Sequence, residues 1–303
     1  MPKYESFTVK KAQNKNYAAK QEKGPSQHMP FQQISENSFL FETVCLQPSL
    51  TASSLIYHLG NQEVVLLDTG CSVSQELFDE LDKRHWHVCA ALCTHIHWDH
   101  TANNAKVVEL GGSIYVHTLE SETKHPPNFH YTYPITYIAE GRVSINGQLF
   151  EFVHTPGHTP GHCAIITPDN ICLAGDAVMA EEELTQSKFP FMEDAKAAIA
   201  SMAKIRNIRA EKYVVSHNGL IPSYKIDTLI DANIKKEIEI YDSIRNFITP
   251  SMNIDEFPEQ FITSLNISIT HAEMIANAKW RLLEMINSGE LKISGSGIIS
   301  LNI

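Results

Sequence analysis

The sequence predicts an α+β protein: two sheets packed together, helices outside them, and a helical C-terminal extension. Three observations carry this. Short β-branched and aromatic runs recur at close spacing from residue 38 onward. One of them, VCAALCT (88–94), is apolar without alternation, as a strand covered on both faces is. After residue 193 the pattern turns mainly helical. Strands first, with a few covering helices, and then helices is the signature of packed layers.

In order, FLFETVCL (38–45), LIYHL (55–59) and VVLLD (64–68) read as strands, the last closed by the turn signal Asp68-Thr69-Gly70. A helix follows, with Ser74 as N-cap and Leu77, Phe78 and Leu81 at helical spacing. After strand 88–94, a helix over 101–110 ends at Gly111-Gly112, and SIYVH (113–117) is another strand. The stretch 118–142, with Pro126, Pro127 and Pro134 among its aromatics, reads as irregular. FEFVH (150–154), CAIIT (163–167) and ICLAG (171–175) resume the strand pattern. Helix 194–208 (Ile199, Met202, Ile205) precedes strand 213–216. A long helix over 226–248, a helix from His271 to Ile286 and a hairpin about Ser294–Gly297 complete the chain. The expected organisation is an N-terminal arm (1–30), a catalytic domain (31–225) and a mainly helical extension (226–303).

Composition narrows the function. The 303 residues carry 24 Lys+Arg against 35 Asp+Glu, a formal net charge of -11, which disfavours nucleic acid and anionic membranes. No apolar run approaches the ~20 residues of a membrane helix. Residues 1–30 hold six Lys and two Glu without an apolar core, so they resemble neither a secretory signal nor a transit peptide. Six Cys without a C-x-x-C pair read as reduced thiols, and the expected location is cytoplasmic. The 15 His stand out, because His is the commonest metal ligand.

Seven of those histidines cluster in motifs at strand ends. Thr94-His95-Ile96-His97-Trp98-Asp99-His100 follows strand 88–94 directly. His95 and His97 alternate on extended backbone and can point the same way, while Asp99 and His100 follow where the chain turns into a helix. His154-Thr155-Pro156-Gly157-His158-Thr159-Pro160-Gly161-His162 is a Pro/Gly-shaped loop after strand 150–154. Ala174-Gly175-Asp176 and Val215-Ser216-His217 place two more donors at strand ends. Nitrogen and carboxylate donors without cysteine suit open, catalytic Zn²⁺, Fe or Mn²⁺ sites better than a closed structural zinc.

These four motifs, in this order over roughly residues 35–220, resemble the metallo-β-lactamase superfamily of metallohydrolases. The resemblance implies an αββα four-layer sandwich and two divalent metal ions, zinc first, with Fe or Mn as alternatives. It implies that His95, His97 and His158 bind the first metal, that Asp99, His100 and His217 bind the second, and that Asp176 bridges them. Asp68, in LLDTG, would orient ligands, and His162 would support the site without binding metal. A hydroxide between the two metals would be the nucleophile, with Asp99 moving a proton to the leaving group. His154 reads as a hydrogen-bonding residue at a strand end.

The branch is argued from departures. Acyl-homoserine lactonases carry a Tyr where this chain has Met179, which weakens a lactone reading. Glyoxalase II enzymes use basic C-terminal residues for glutathione; residues 250–303 offer only Lys279, Arg281 and Lys292 against six acidic residues. The nuclease branch conflicts with the charge, and a secreted β-lactamase would need an export signal. The expected function is metal-dependent hydrolysis of a small-molecule ester, thioester or lactone. The alternative is a persulfide dioxygenase-like oxidoreductase with a single iron on the same fold. Phe129, His130, Tyr131, Met179 and Phe189 are the expected substrate-pocket residues. The C-terminal extension either lines the pocket or forms a homodimer face.

Overall fold

The computed structural model of the protein describes residues 31–44, 51–71, 75–123, 131–248, 251–268 and 272–302. The N-terminal arm, Cys45, Ser74, Phe129, His130 and His271 lie outside the described residues. The chain runs β1 (Phe31–Gln33), β2 (Ser38–Val44), β3 (Thr51–Gly60), β4 (Glu63–Leu67), α1 (Gln75–Lys83), β5 (His87–Leu92), α2 (Trp98–Thr101), α3 (Asn104–Glu109) and β6 (Ser113–His117). It continues through β7 (Thr136–Ile138), β8 (Gly141–Ile145), β9 (Gln148–His154), β10 (Cys163–Ile166), β11 (Ile171–Gly175), α4 (Glu181–Gln186), α5 (Ala195–Asn207), β12 (Lys212–Val215) and β13 (Gly219–Pro222). It ends with α6 (Ile226–Phe247), β14 (Met252–Asn253), α7 (Phe257–Ser264), α8 (Ala272–Asn287), β15 (Leu291–Ile293) and β16 (Ile298–Leu301).

A seven-stranded sheet follows sequence order from β1 to β7, and a six-stranded sheet runs β13-β12-β11-β10-β9-β8. Alternation within the strands builds the layers. Val65 and Leu67 of β4, with Leu55 and Leu92, meet Phe150, Phe152, Ile165 and Leu173 of the second sheet in a core between the sheets. Val64 and Leu66, one residue out of phase, join Leu77, Phe78, Leu81 and Val107 of the covering helices α1 and α3. Both phases of β4 are therefore apolar because both its faces are covered. On the far side, Ala174, Tyr213 and Val215 pack with Met202, Ile230, Ile244, Phe261 and Leu282. The helices α6, α7 and α8 thus form much of the fourth layer of an αββα sandwich. No helix among the described residues is long and apolar enough to cross a membrane.

Three expectations are corrected. The stretch 118–142 contains a 3-10 turn (Thr118–Glu122), β7 and the start of β8. The edge strand β7 spans three largely exposed residues, too few for alternation to be legible. The helix expected over 101–110 breaks into α2 and α3, because Asn103 N–H donates to Thr69 Oγ1 (3.2 Å) and Ala102 N–H to Gly70 O (3.2 Å). Cys71 is disulfide-bonded, whereas Cys89, Cys93, Cys163 and Cys172 are thiols, so the all-thiol premise of a cytoplasmic location does not hold.

The two sheets are stitched together at one end. Cys163 N–H donates to Thr94 O (2.9 Å), joining the start of β10 to the segment after β5. Ser53 N–H donates to Ser216 O (2.7 Å), joining β3 to the segment after β12. The C-terminal ends of β4, β5, β6, β9, β11 and β12 release their loops beside this seam.

Candidate metal centre

The loops carry the motif residues to one place. His95 Nε2, His97 Nδ1, His158 Nε2 and an Asp176 oxygen form one group of mutually close donor atoms, and Asp99, His100 and His217 form a second. In the first group His97 Nδ1 lies 3.0 Å from His95 Nε2 and 2.8 Å from His158 Nε2, and Asp176 Oδ2 lies 3.2 Å from His158 Nε2. In the second, the other oxygen, Asp176 Oδ1, lies 3.4 Å from His100 Nε2 and 3.9 Å from His217 Nε2. Asp99 Oδ2 is 3.8 Å from His100 Nε2 and 3.7 Å from His217 Nε2. Metal–nitrogen contacts of about 2.0–2.1 Å place neighbouring ligands of a tetrahedron about 3.3 Å apart; these separations lie at or just under that value in the first group and at or somewhat above it in the second.

Hydrogen bonds on the outer side of each ring aim the inner nitrogen. Thr94 Oγ1 donates to Asp68 Oδ2 (2.8 Å), so toward His95 Nδ1 (3.0 Å) it accepts, which leaves a lone pair on His95 Nε2. His158 Nδ1–H donates to Phe191 O (3.0 Å), His217 Nδ1–H to Thr51 O (2.7 Å) and His100 Nδ1–H to Asp68 Oδ2 (2.9 Å). Four imidazoles therefore turn bare nitrogens inward. His100 Nε2 and Asp176 Oδ1, both buried, have no hydrogen-bond partner. Buried lone pairs converging without a donor are costly, and a cation is the chemical species that satisfies them together.

The electrostatics agree. Burial and the neighbouring His100, His97 and His158 hold His95 well below the usual imidazole range. Burial works against charge on His100, but Asp176, Asp99 and Asp68 outweigh it and hold it well above that range. For Asp176, burial is likewise outweighed by His100 and His158, so its carboxyl stays well below the usual carboxylate range. Three carboxylates thus gather positive charge at the second group, as a proton on His100 or as a metal ion.

Asp68 also accepts from Thr94 N–H (2.7 Å), so this fully buried carboxylate joins the end of β4 to the first motif loop. His162 accepts from Asp176 N–H at Nε2 (3.1 Å) and faces Thr155 Oγ1 at Nδ1 (2.9 Å). Gly175, at φ +60°, makes that contact available, since a Cβ there would lie 2.4 Å from His162 Nε2. The register of β11 on β12 also shifts between Leu173 and Gly175, an irregularity that re-aims Asp176. His154 Nε2 bonds Pro160 O (2.9 Å), away from both groups.

The pocket expectation needs correction. Met179 is buried, 7% exposed, and Phe189 packs in the core of the fourth layer, 3% exposed, instead of facing the histidines. Phe191 does face them, with its ring centroid 5.6 Å from His97 and 5.5 Å from His158. Tyr131 packs with the aliphatic layer outside the first sheet and donates its hydroxyl to Ile96 O.

One residue of this region is not legible in the sequence. Glu120, fully buried in the turn after β6, accepts from Ile96 N–H at Oε2 (2.9 Å) and from Gly161 N–H at Oε1 (2.9 Å). Thr159 Oγ1 also donates to Oε1 (2.5 Å). Burial raises its carboxyl to about 7. It lies in a run of hydroxyl and acidic residues, TLESE, that reads as an ordinary polar turn.

Comparisons with known proteins agree with this geometry. A hydroxyacylglutathione hydrolase of Buchnera aphidicola is 27% identical over 38% of this chain and 43% of its own length, so the chain spans under half of that relative. A beta-lactamase-like protein 2 homolog of Caenorhabditis elegans is 22% identical over 80% of this chain and 79% of its own length. The structure of a metallo-beta-lactamase family protein from Thermus thermophilus superposes with a TM-score of 0.71 at 16% identity, over 89% of this chain and 99% of that one, which shows the shared fold. The family profile for the metallo-beta-lactamase superfamily matches residues 46–217, more than half of the chain. The chain belongs to the metallo-beta-lactamase superfamily.

Proposed function

We propose that the protein is a dinuclear metal hydrolase acting on a small-molecule acyl substrate, a thioester or ester before a lactone. The observation that carries this is the division of Asp176: Oδ2 faces the His95/His97/His158 group, and Oδ1 faces the group of His100, His217 and Asp99. His95, His97 and His158 would hold one divalent cation, Asp99, His100 and His217 a second, and Asp176 both. Zinc suits the nitrogen-rich set, with iron or manganese as alternatives. Bound there, the two cations would polarise the scissile carbonyl and supply a water nucleophile ionised near neutral pH.

The chain's own groups do the rest. Asp68 and Thr94 fix the rings of His100 and His95, and His162 fixes the backbone of Asp176. Asp99, whose side chain is 17% exposed, stands at the open side of the second group, where a carboxylate can pass a proton to a departing oxygen or sulfur. The Phe191 ring flanks the first group and shields it from water.

A relative named hydroxyacylglutathione hydrolase supports a thioester. The glutathione part of such a substrate is disfavoured, because Arg281, one of three basic residues in 250–303, is fully buried against Glu237. The acidic net charge likewise favours a small molecule over nucleic acid.

Zinc- or manganese-loaded protein should hydrolyse members of a panel of thioesters and aryl esters, with lactones and phosphodiesters as comparisons. Two metals per chain are expected. A single iron per chain with oxygen uptake on a persulfide, and no hydrolysis, would replace this reading with the oxidoreductase one.

A further inference from the structure

Four polar side chains are buried where the C-terminal helices meet the catalytic layers: Asn233 and Glu237 on α6, and Asn277 and Arg281 on α8, each 0% exposed. Each pair is spaced i,i+4, so each lies on one face of its helix. Three of the four bond the backbone of the segment that follows Asp176. Asn233 holds both backbone groups of Met179, accepting from its N–H (2.9 Å) and donating to its carbonyl (3.0 Å). Asn277 donates to Pro190 O (2.7 Å) and accepts from Met192 N–H (3.3 Å), and Arg281 Nη2 also donates to Pro190 O (3.1 Å). Residues 190 and 192 are thus gripped from α8, and residue 191 between them carries the carbonyl that receives His158 Nδ1–H (3.0 Å).

We infer that Asn277 and Arg281 are positioning residues for His158: through Pro190–Met192, the C-terminal extension sets the ring of a first-group metal ligand. This rests on the first group binding metal, as proposed above. Stability alone is a poor account of the arrangement. The Arg281–Glu237 pair leaves Arg281 Nε and Glu237 Oε1 buried without a hydrogen-bond partner, and a buried pair satisfied only in part contributes little net stability. Its guanidinium also stands 5.2 Å from the Phe189 ring centroid, so it touches the segment at residue 189 as well as at 190.

The test uses the full chain, purified metal-free and titrated with Zn²⁺ against a chelating dye, with thermal unfolding measured in parallel. His97→Ala identifies which binding step belongs to the first group. The double variant Arg281→Met/Glu237→Leu replaces the ion pair with packed apolar groups, a change that is often neutral or stabilising for the fold. Asn277→Asp, nearly the same size, keeps the acceptor for Met192 and loses the donor to Pro190. Each variant is expected to weaken first-group zinc binding about 10–100-fold, the usual cost of losing an outer hydrogen-bond partner, with the second step within about threefold of wild type. First-step affinities within about threefold of wild type would overturn the inference. So would equal weakening of both steps together with a lowered melting temperature, which is what a purely structural role produces. Either variant decides the matter if the other fails to fold. Wild-type protein that binds no zinc would sink the metal reading itself, whereas wild-type binding with unaltered variants sinks only this inference.

Discussion

The carboxylate of Glu120 accepts a hydrogen bond from the backbone N–H of Ile96, the residue between the two histidines of the first motif loop. Its other oxygen accepts from Gly161 N–H and Thr159 Oγ1 in the second histidine loop, so one buried side chain sets the distance between His97 and His158.

Glu120→Ala would leave the Ile96 and Gly161 N–H groups buried without acceptors, at about 1–3 kcal/mol each. Denaturant unfolding should show a loss of about 3 kcal/mol, together with weaker metal retention. Glu120→Gln should fall between, because its amide NH2 must face one of these donors. A Glu120→Ala protein that unfolds at the wild-type midpoint would remove the clamp from the account.

Among the described residues, Asp176 is the one whose oxygens face both groups. Asp176→Ala should lower bound metal from two per chain to one or none and reduce hydrolysis by at least about a thousandfold, an effect of about 4 kcal/mol on the barrier. Elemental analysis of the purified variant checks the first part. Two metals retained by Asp176→Ala would refute the bridging assignment.

Burial, with His158 second, lowers His162 to about 3 against an ordinary 6.5. The neutral ring is required because Nε2 accepts Asp176 N–H, and protonation there would set two donors face to face. The unfolded chain therefore binds a proton between pH 6.5 and 3 where the folded chain does not. Stability from this residue is complete above about pH 6.5 and falls as the pH drops toward 3. Between pH 7 and pH 5 the metal-free wild type should lose about 2 kcal/mol more than His162→Gln. Parallel pH profiles for the two proteins would exclude this contribution.

Gly175→Ala tests how the end of β11 aims Asp176. The new Cβ would meet His162 Nε2 at 2.4 Å on a backbone at φ +60°, so His162 must move. A cost of about 1–3 kcal/mol is expected, with loss of activity exceeding that of an exposed glycine substitution such as Gly289→Ala. Equal activity in the two variants would count against it.

The residues of the two donor groups were legible because a strand end and a dense His/Asp motif are local facts. His95, His97, Asp99 and His100 sit on six residues of chain, and each remaining donor follows a run that reads as a strand by itself. The layers were legible for the same reason, since the phase of Val64–Leu67 shows two covered faces before any partner is known. The edge strand β7 and the short helix α7 were not, because three or eight residues carry too little periodicity.

What the sequence by itself determined is therefore which residue types stand at the strand ends and which faces those strands bury. Tertiary structure alone decided that Glu120 joins loops near residues 96 and 161, that Phe191 and not Phe189 faces the histidines, and that α8 grips Pro190 and Met192. The physical reason is separation along the chain. These contacts join residues tens of positions apart, and a buried polar group's partner is set by how the layers close, which no local pattern of hydrophobic and polar residues encodes.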